Sequence, residues 1–215
     1  MKEVDWSQIL TTALTNAESY FSKNELAYLA LTSKIELPFR NRLAFRLHNE
    51  LAAYPEIVVS REWNRVDLAI LREFQPEMLL ELKAMYSFDM QGKTAPIDYP
   101  RLIQSDVDKL QNISSNYPDT PPVIFTLLLA THPHSAPSAS FDRVIKYASG
   151  IRSRTPADIA ALDAIVRVNF NQHKVAASGC LRGGIAFGID VSLYYWLFGP
   201  YGAQPNYSVN RTLTS

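Results

Sequence analysis

The stretch RVDLAILREFQPEMLLELKAM, residues 65–85, decides how this chain folds. From Arg65 to Leu71 the residues alternate. Val66, Leu68 and Ile70 fall on one face and Asp67, Ala69 and Leu71 on the other, the period of two that a strand requires. Met78 to Met85 is a second strand with Pro76 just before it, and the stretch from Glu73 to Pro76 supplies the turn. Immediately upstream, Ile57 to Trp63 (IVVSREW) is a β-branched run, and Asn64 turns the chain between it and the next strand. Three strands this close in sequence most simply form an antiparallel meander.

Working outward, the period changes to that of helices. Residues 5 to 31 place Trp6, Ile9, Leu10, Ala13, Leu14 and Ala17 at helical spacing, with a break near Ser22 to Asn24. Pro38 stands where a helix starts, and Phe39 to Ala53 reads as amphipathic with Leu43, Phe45, Leu47 and Leu51 inward. After a loop from Gln91 to Pro100, Arg101 to Ser114 is helical again. Pro121 and Pro122 then precede VIFTLLLA, residues 123–130, an apolar run of strand length that reads as a buried central strand. Ser140 to Ser149 and Pro156 to Asn169 read as helices, the second capped by Thr155. Lys174 to Leu181 and Ile185 to Phe198 read as strands around an Arg182-Gly183-Gly184 turn. The order is helices, three strands, helix, buried strand, helices, two strands: an α/β chain with a mixed sheet. It reads as one domain over 1–215, with a core at about 39–130, a C-terminal helix-strand extension at 131–200 and a loose tail at 201–215.

Bulk properties narrow the classes. Lys plus Arg and Asp plus Glu both total 21, so the net charge is zero, which argues against a general nucleic-acid coating protein. One cysteine, Cys180, excludes an internal disulfide framework and fits a reducing cytoplasm. The N-terminus MKEVDWSQIL lacks the apolar segment of a targeting signal, and the apolar runs are too short to span a bilayer. The expectation is a cytoplasmic protein without membrane attachment. The Asn-x-Ser/Thr matches at Asn112, Asn206 and Asn210 are read as chance.

Chemistry concentrates in the opening stretch. Asp67 lies inside one apolar strand, and Glu81 and Lys83 inside the next. A charge in a buried strand is costly unless it is paired or holds a metal. Glu81 and Lys83 are two residues apart and share a face, and Asp67 joins them if the strands pair. Two carboxylates beside the Leu82 carbonyl suit a hard cation such as Mg²⁺, with Mn²⁺ as a substitute. A neighbouring lysine can orient or help deprotonate a water and neutralise charge on a phosphate. The alternative is a surface salt bridge of Lys83 with Asp67 or Glu81 on a half-exposed sheet.

The pattern Asp67, a 13-residue gap, Glu81, Leu82, Lys83 resembles that of the PD-(D/E)XK nucleases, with Val66 where the pattern has proline. The element order from Phe39 to Ala130 is similar to the family core of helix, three strands, helix and strand. The resemblance implies a restriction-endonuclease-like fold with extra N-terminal helices. It implies an Mg²⁺-dependent endodeoxyribonuclease whose partner is DNA, in a restriction or other defence role. It implies that Glu50, in LAFRLHNEL, joins Asp67, Glu81 and Lys83 as a catalytic residue. It also implies that Gln104, Asp108 and Lys109 face the site from the helix after the third strand. A catalytically inactive fold serving as a nucleic-acid or protein interaction module is the competing expectation.

Other signals are weaker. Arg40, Arg42 and Arg46 form a stripe suited to phosphate contacts, although such a stripe is more often a solvated helix face. His132 and His134 offer two Zn²⁺ ligands without a third, and a loop at a strand end is preferred. His48 and His173 stand alone. Cys180 is expected to be a buried structural thiol. Tyr194, Tyr195, Trp196 and Phe198 suit either base stacking or, preferentially, a core or homodimer surface.

Overall fold

A computed structural model describes residues 4–90, 98–153 and 159–202. Among these, the N-terminal region forms α1 (Trp6–Thr15), a short 3₁₀ turn, α2 (Glu25–Thr32) and α3 (Glu36–Glu50). The Asp5 carboxylate caps α1 by accepting from the Gln8 N–H. The apolar stripes of α1 to α3 pack as the helical spacing requires, with Leu10, Leu14, Leu31, Phe39, Leu43 and Leu47 all buried.

Helix α3 begins three residues before the sequence expectation of Phe39. Glu36 opens its first turn and Pro38 is the third helical residue, which costs little because the N–H groups of that turn have no intrahelical partner. The helix ends at Glu50 rather than Ala53, and residues 51–53 form turns. Phe45, expected inward, is 64% exposed, because the buried stripe runs through Phe39, Arg40, Leu43, Ala44 and Leu47 and leaves position 45 on the opposite side.

The meander forms as expected: β1 (Ile57–Trp63), β2 (Val66–Arg72) and β3 (Gln75–Tyr86), all antiparallel. Both hairpins close through two residues with positive φ, Asn64-Arg65 and Glu73-Phe74, whose left-handed backbone matches the twist of the flanking strands. Helix α4 (Tyr99–Ser114) crosses to β4 (Val123–Pro133), which lies parallel to β3 and is buried almost throughout. The C-terminal strands β5 (Val175–Ala186) and β6 (Ile189–Tyr201) complete a mixed six-stranded sheet in the order β1-β2-β3-β4-β6-β5. One sheet face packs against α1, α2, α3 and α5 (Ala148–Ser153), the other against α4 and α6 (Ile159–Asn169). This is an α/β protein with six α-helices among the described residues. None of them is long and apolar enough to cross a membrane.

Three expectations in the C-terminal part are corrected. The helix expected at Ser140 to Ser149 is a 3₁₀ turn at Ala139–Phe141 followed by the later α5. The Lys146 N–H donates to the Leu31 carbonyl at 2.7 Å and Tyr147 takes a positive φ, so the chain cannot continue a helix there. The β5–β6 turn lies at Phe187-Gly188, both with positive φ, instead of Arg182-Gly183-Gly184. Gly183-Gly184 instead forms an irregularity inside β5, where the Asn24 side chain accepts from the Ile185 N–H. Cys180 is exposed on β5, an edge strand, and is not a buried thiol. Thr155, Pro156 and the tail from 203 onward lie outside the described residues.

Candidate functional site

The β2–β3 ladder ends at Leu68↔Leu80, although β3 runs on to Tyr86. One step beyond that last pair, Asp67 stands opposite Glu81, and residues opposite one another on antiparallel strands share a face. Asp67 then takes over from the ladder. Its Oδ2 accepts from the Leu82 N–H at 2.9 Å, and its own N–H donates to Glu81 Oε1 at 3.4 Å. The N–H and C=O of a strand residue point toward the same neighbour, so the Leu82 carbonyl faces the same gap. Lys83 Nζ lies 3.3 Å from that carbonyl oxygen. The sequence-expected Asp67, Glu81, Leu82 and Lys83 are thus brought together where two strands part.

Helices close the gap from both sides. From α4, Lys109 Nζ pairs with Glu81 Oε1 and donates to the Arg65 carbonyl at 2.6 Å, while Asp106 Oδ2 lies 2.7 Å from Lys83 Nζ. From α3, Arg40 Nη1 donates to Asp67 Oδ1 at 3.2 Å and pairs with Glu62. Arg40 is buried, and its Nε–H has no acceptor among the described residues. Glu36, in the first turn of α3, feels the charges of Lys83 and Asp67.

Electrostatics follow from burial. The Glu81 carboxyl is pushed up to about 7, first by loss of water and then by Asp67 and Asp106, against the opposing Lys109. Burial also raises the carboxyls of Glu36 and Asp106. Burial works to lower the Lys83 amine, but Asp106, Glu81 and Glu36 outweigh it and hold it above the ordinary lysine range. Glu36, Asp67, Glu81 and Asp106 outnumber Arg40, Lys83 and Lys109, so the cluster has an excess of acid that a bound cation would offset.

Among the described residues, no group of three or more His, Cys, Asp or Glu side chains is arranged to cage a metal. The Asp67 and Glu81 carboxylates with the Leu82 carbonyl fit a different case. A small hard cation that keeps several waters is held by one or two carboxylates.

The other sequence candidates are placed elsewhere. Glu50 is exposed and accepts from Arg46 Nε at 2.8 Å. It lies 14 residues beyond Glu36, about 21 Å along the helix axis at 1.5 Å per residue. The α3 acid that feels the cluster's charges is Glu36. Arg42 pairs with Glu25 and sits over the Phe21 ring, and Arg46 sits over Tyr20, so both brace the N-terminal segment. Gln104 donates to Asp108 at 2.7 Å on the exposed side of α4. His132 is buried and bonded to Ser87 Oγ at 2.8 Å, and His134 to Ser192 Oγ. Tyr195, Trp196 and Phe198 are core residues.

Sequence reading missed Glu36 and Asp106. A signal existed for each. Asp106 falls on the apolar stripe Ile103, Val107, Leu110 of α4, where an acid needs a buried partner. Glu36 precedes Pro38 by two residues, which is consistent with proline inside, rather than before, the first turn. No family model, curated protein or solved structure matches this chain.

Proposed function

We propose that this chain is a metal-dependent nuclease that hydrolyses phosphodiester bonds in DNA. The observation carrying the reading is the placement of Asp67 opposite Glu81, with Lys83 on the same face, at the point where β2 and β3 separate. Asp67, Glu81 and the Leu82 carbonyl would hold Mg²⁺ or Mn²⁺. Such an ion supplies positive charge at the phosphate and acidifies a bound water. Lys83 keeps its proton, so its role is to orient the water and stabilise phosphate charge rather than to act as a base. Glu36, its carboxyl raised by burial and coupled to the Lys83 charge, would serve as the proton acceptor. Arg40 and Lys109 occupy the carboxylates now. With a cation in their place, both become donors for phosphate oxygens.

One observation favours a second reading, an inactive interaction module: each central charge already has an internal partner, Asp67 with Arg40, Glu81 with Lys109 and Lys83 with Asp106. Incubation with plasmid and single-stranded DNA plus Mg²⁺ or Mn²⁺ separates the two. The nuclease reading expects cleavage by the wild type, and a loss of roughly a hundredfold or more in Lys83→Ala. Lys83→Ala should retain the rise in melting temperature with Mn²⁺, and Glu81→Ala should lose both. A wild type that neither cuts nor is stabilised by Mn²⁺ leaves the module reading.

A further inference from the structure

A cavity of about 280 Å³ opens beside the carboxylate cluster. The two share a wall. Ile35, which lines the cavity, precedes Glu36, and Ala84, which also lines it, follows Lys83. The Glu36 carboxylate feels the charges of Lys83 and Asp67, so the first turn of α3 reaches from the cavity lining to the cluster. The cavity lies at the C-terminal ends of the parallel strands β3 and β4, represented by Tyr86 and Thr131. Crevices in this position of a parallel sheet are where α/β proteins take ligands.

Its lining is aromatic and held in place. Tyr86 and Phe88 stack with centroids 5.1 Å apart, and Tyr147 meets Tyr86 edge-on. The hydroxyls are anchored on backbone carbonyls, Tyr86 to Ala30 and Tyr99 to Ala84, so the rings cannot swing. Tyr147 stands half-exposed in a left-handed backbone conformation, a strained arrangement for a tyrosine. Lys34 and Asp89 add one cation and one carboxylate to the lining.

We propose that this cavity receives an unpaired nucleobase of the strand whose phosphate lies at the Asp67–Glu81–Lys83 cluster. The inference rests on the nuclease reading for the placement of that phosphate. It deepens that reading by naming the substrate class: a single strand, or a duplex with a base turned out of its stack. A volume near the lower end of ligand pockets suits a flat ring rather than a duplex, and the exposed Tyr147 ring can stack on any base. A base pair held in a duplex cannot present its faces to these rings.

The test uses 2-aminopurine, whose fluorescence falls on stacking, placed in a short single-stranded oligonucleotide and, separately, as the free nucleoside monophosphate. Two variants alter the cavity without touching the cluster. A side-chain carbon built on Gly150, in the cavity lining, meets nothing within 4 Å, so Gly150→Leu adds bulk at the lining without a clash. Tyr147→Gly removes a ring and suits the positive φ at that position. The expected result is quenching of the oligonucleotide by the wild type, affinity about tenfold weaker in both variants, and a parallel loss of cleavage with the Mn²⁺ stabilisation intact. Equal affinity for wild type and variants overturns the proposal, as does free monophosphate binding as tightly as the oligonucleotide. A wild type that cuts DNA while the variants cut equally well overturns the base pocket and keeps the nuclease. A wild type that is quenched in a cavity-dependent way but never cuts keeps the pocket and removes the nuclease.

Discussion

Glu36 and Glu50 begin and end the same helix, and their environments separate their roles. Glu36 is half-buried beside Ala84, Lys83 and Asp67, while Glu50 is exposed and bonded to Arg46 one helical turn away. Glu36→Gln keeps the shape and removes the charge, so it should lower cleavage by roughly a hundredfold or more. Glu50→Gln should stay within about twofold of wild type, since exposed i,i+4 pairs contribute little. Single-turnover cleavage rates of the two variants measure this, and comparable losses would return the role to Glu50. The resemblance implied Glu50, and α3 carries a second glutamate, Glu36, at its other end. Which one reaches the site depended on where the helix starts, a boundary that the proline blurred.

At the scale of elements, the sheet is set by turns whose residue types are unusual. Asn64-Arg65 and Glu73-Phe74 close two-residue hairpins without glycine, so neither carried the usual glycine signal of such a turn. Conversely, Gly183-Gly184 looked like a turn and is a strand irregularity. At Gly184 φ is +88°, and an added side-chain carbon would lie 2.4 Å from Asn24 Oδ1 and 3.1 Å from Asn24 Cα. Gly188, in the true turn, has φ +76° and open space around it. Alanine at Gly188 should therefore cost only the left-handed backbone penalty, about 1–2 kcal/mol. Alanine at Gly184 should cost more, about 2–4 kcal/mol, because it must also displace the Asn24 side chain that accepts from Ile185. Urea midpoints decide it: equal losses would mean that the contact between β5 and Asn24 contributes nothing.

For the whole molecule, His132 ties stability to pH. It sits at the end of the central strand β4, buried against Ser87, His134 and Tyr194. Burial, then repulsion from His134, lowers it from 6.5 to about 4. A lowered histidine favours the neutral form in the folded state. Its contribution is therefore fully present above about pH 6.5 and is lost as pH falls through about 4. The loss is at most about 3 kcal/mol. Urea unfolding at pH 7 and pH 4 should show this acid limb, and His132→Gln should flatten it. An unchanged slope in the variant would assign the acid sensitivity elsewhere.

By itself the sequence determined the strands and the face on which their charges lie. Period-two alternation places Glu81 and Lys83 together whatever surrounds them, and short turns force neighbouring runs to pair antiparallel, so Asp67 follows. Helical stripes likewise determined the burial of Leu43, Leu47, Ile103 and Leu110. What only the tertiary structure decided is which helix residues meet that face. Arg40 and Glu36 come from one side of the sheet, and Asp106 and Lys109 from the other, each at least 22 residues from the nearest of the acids or the lysine it meets in the other element. Their meeting depends on the early end of the β2–β3 ladder, which leaves a gap that both helices reach. No local period encodes that gap, because it arises from how layers pack rather than from how one segment alternates.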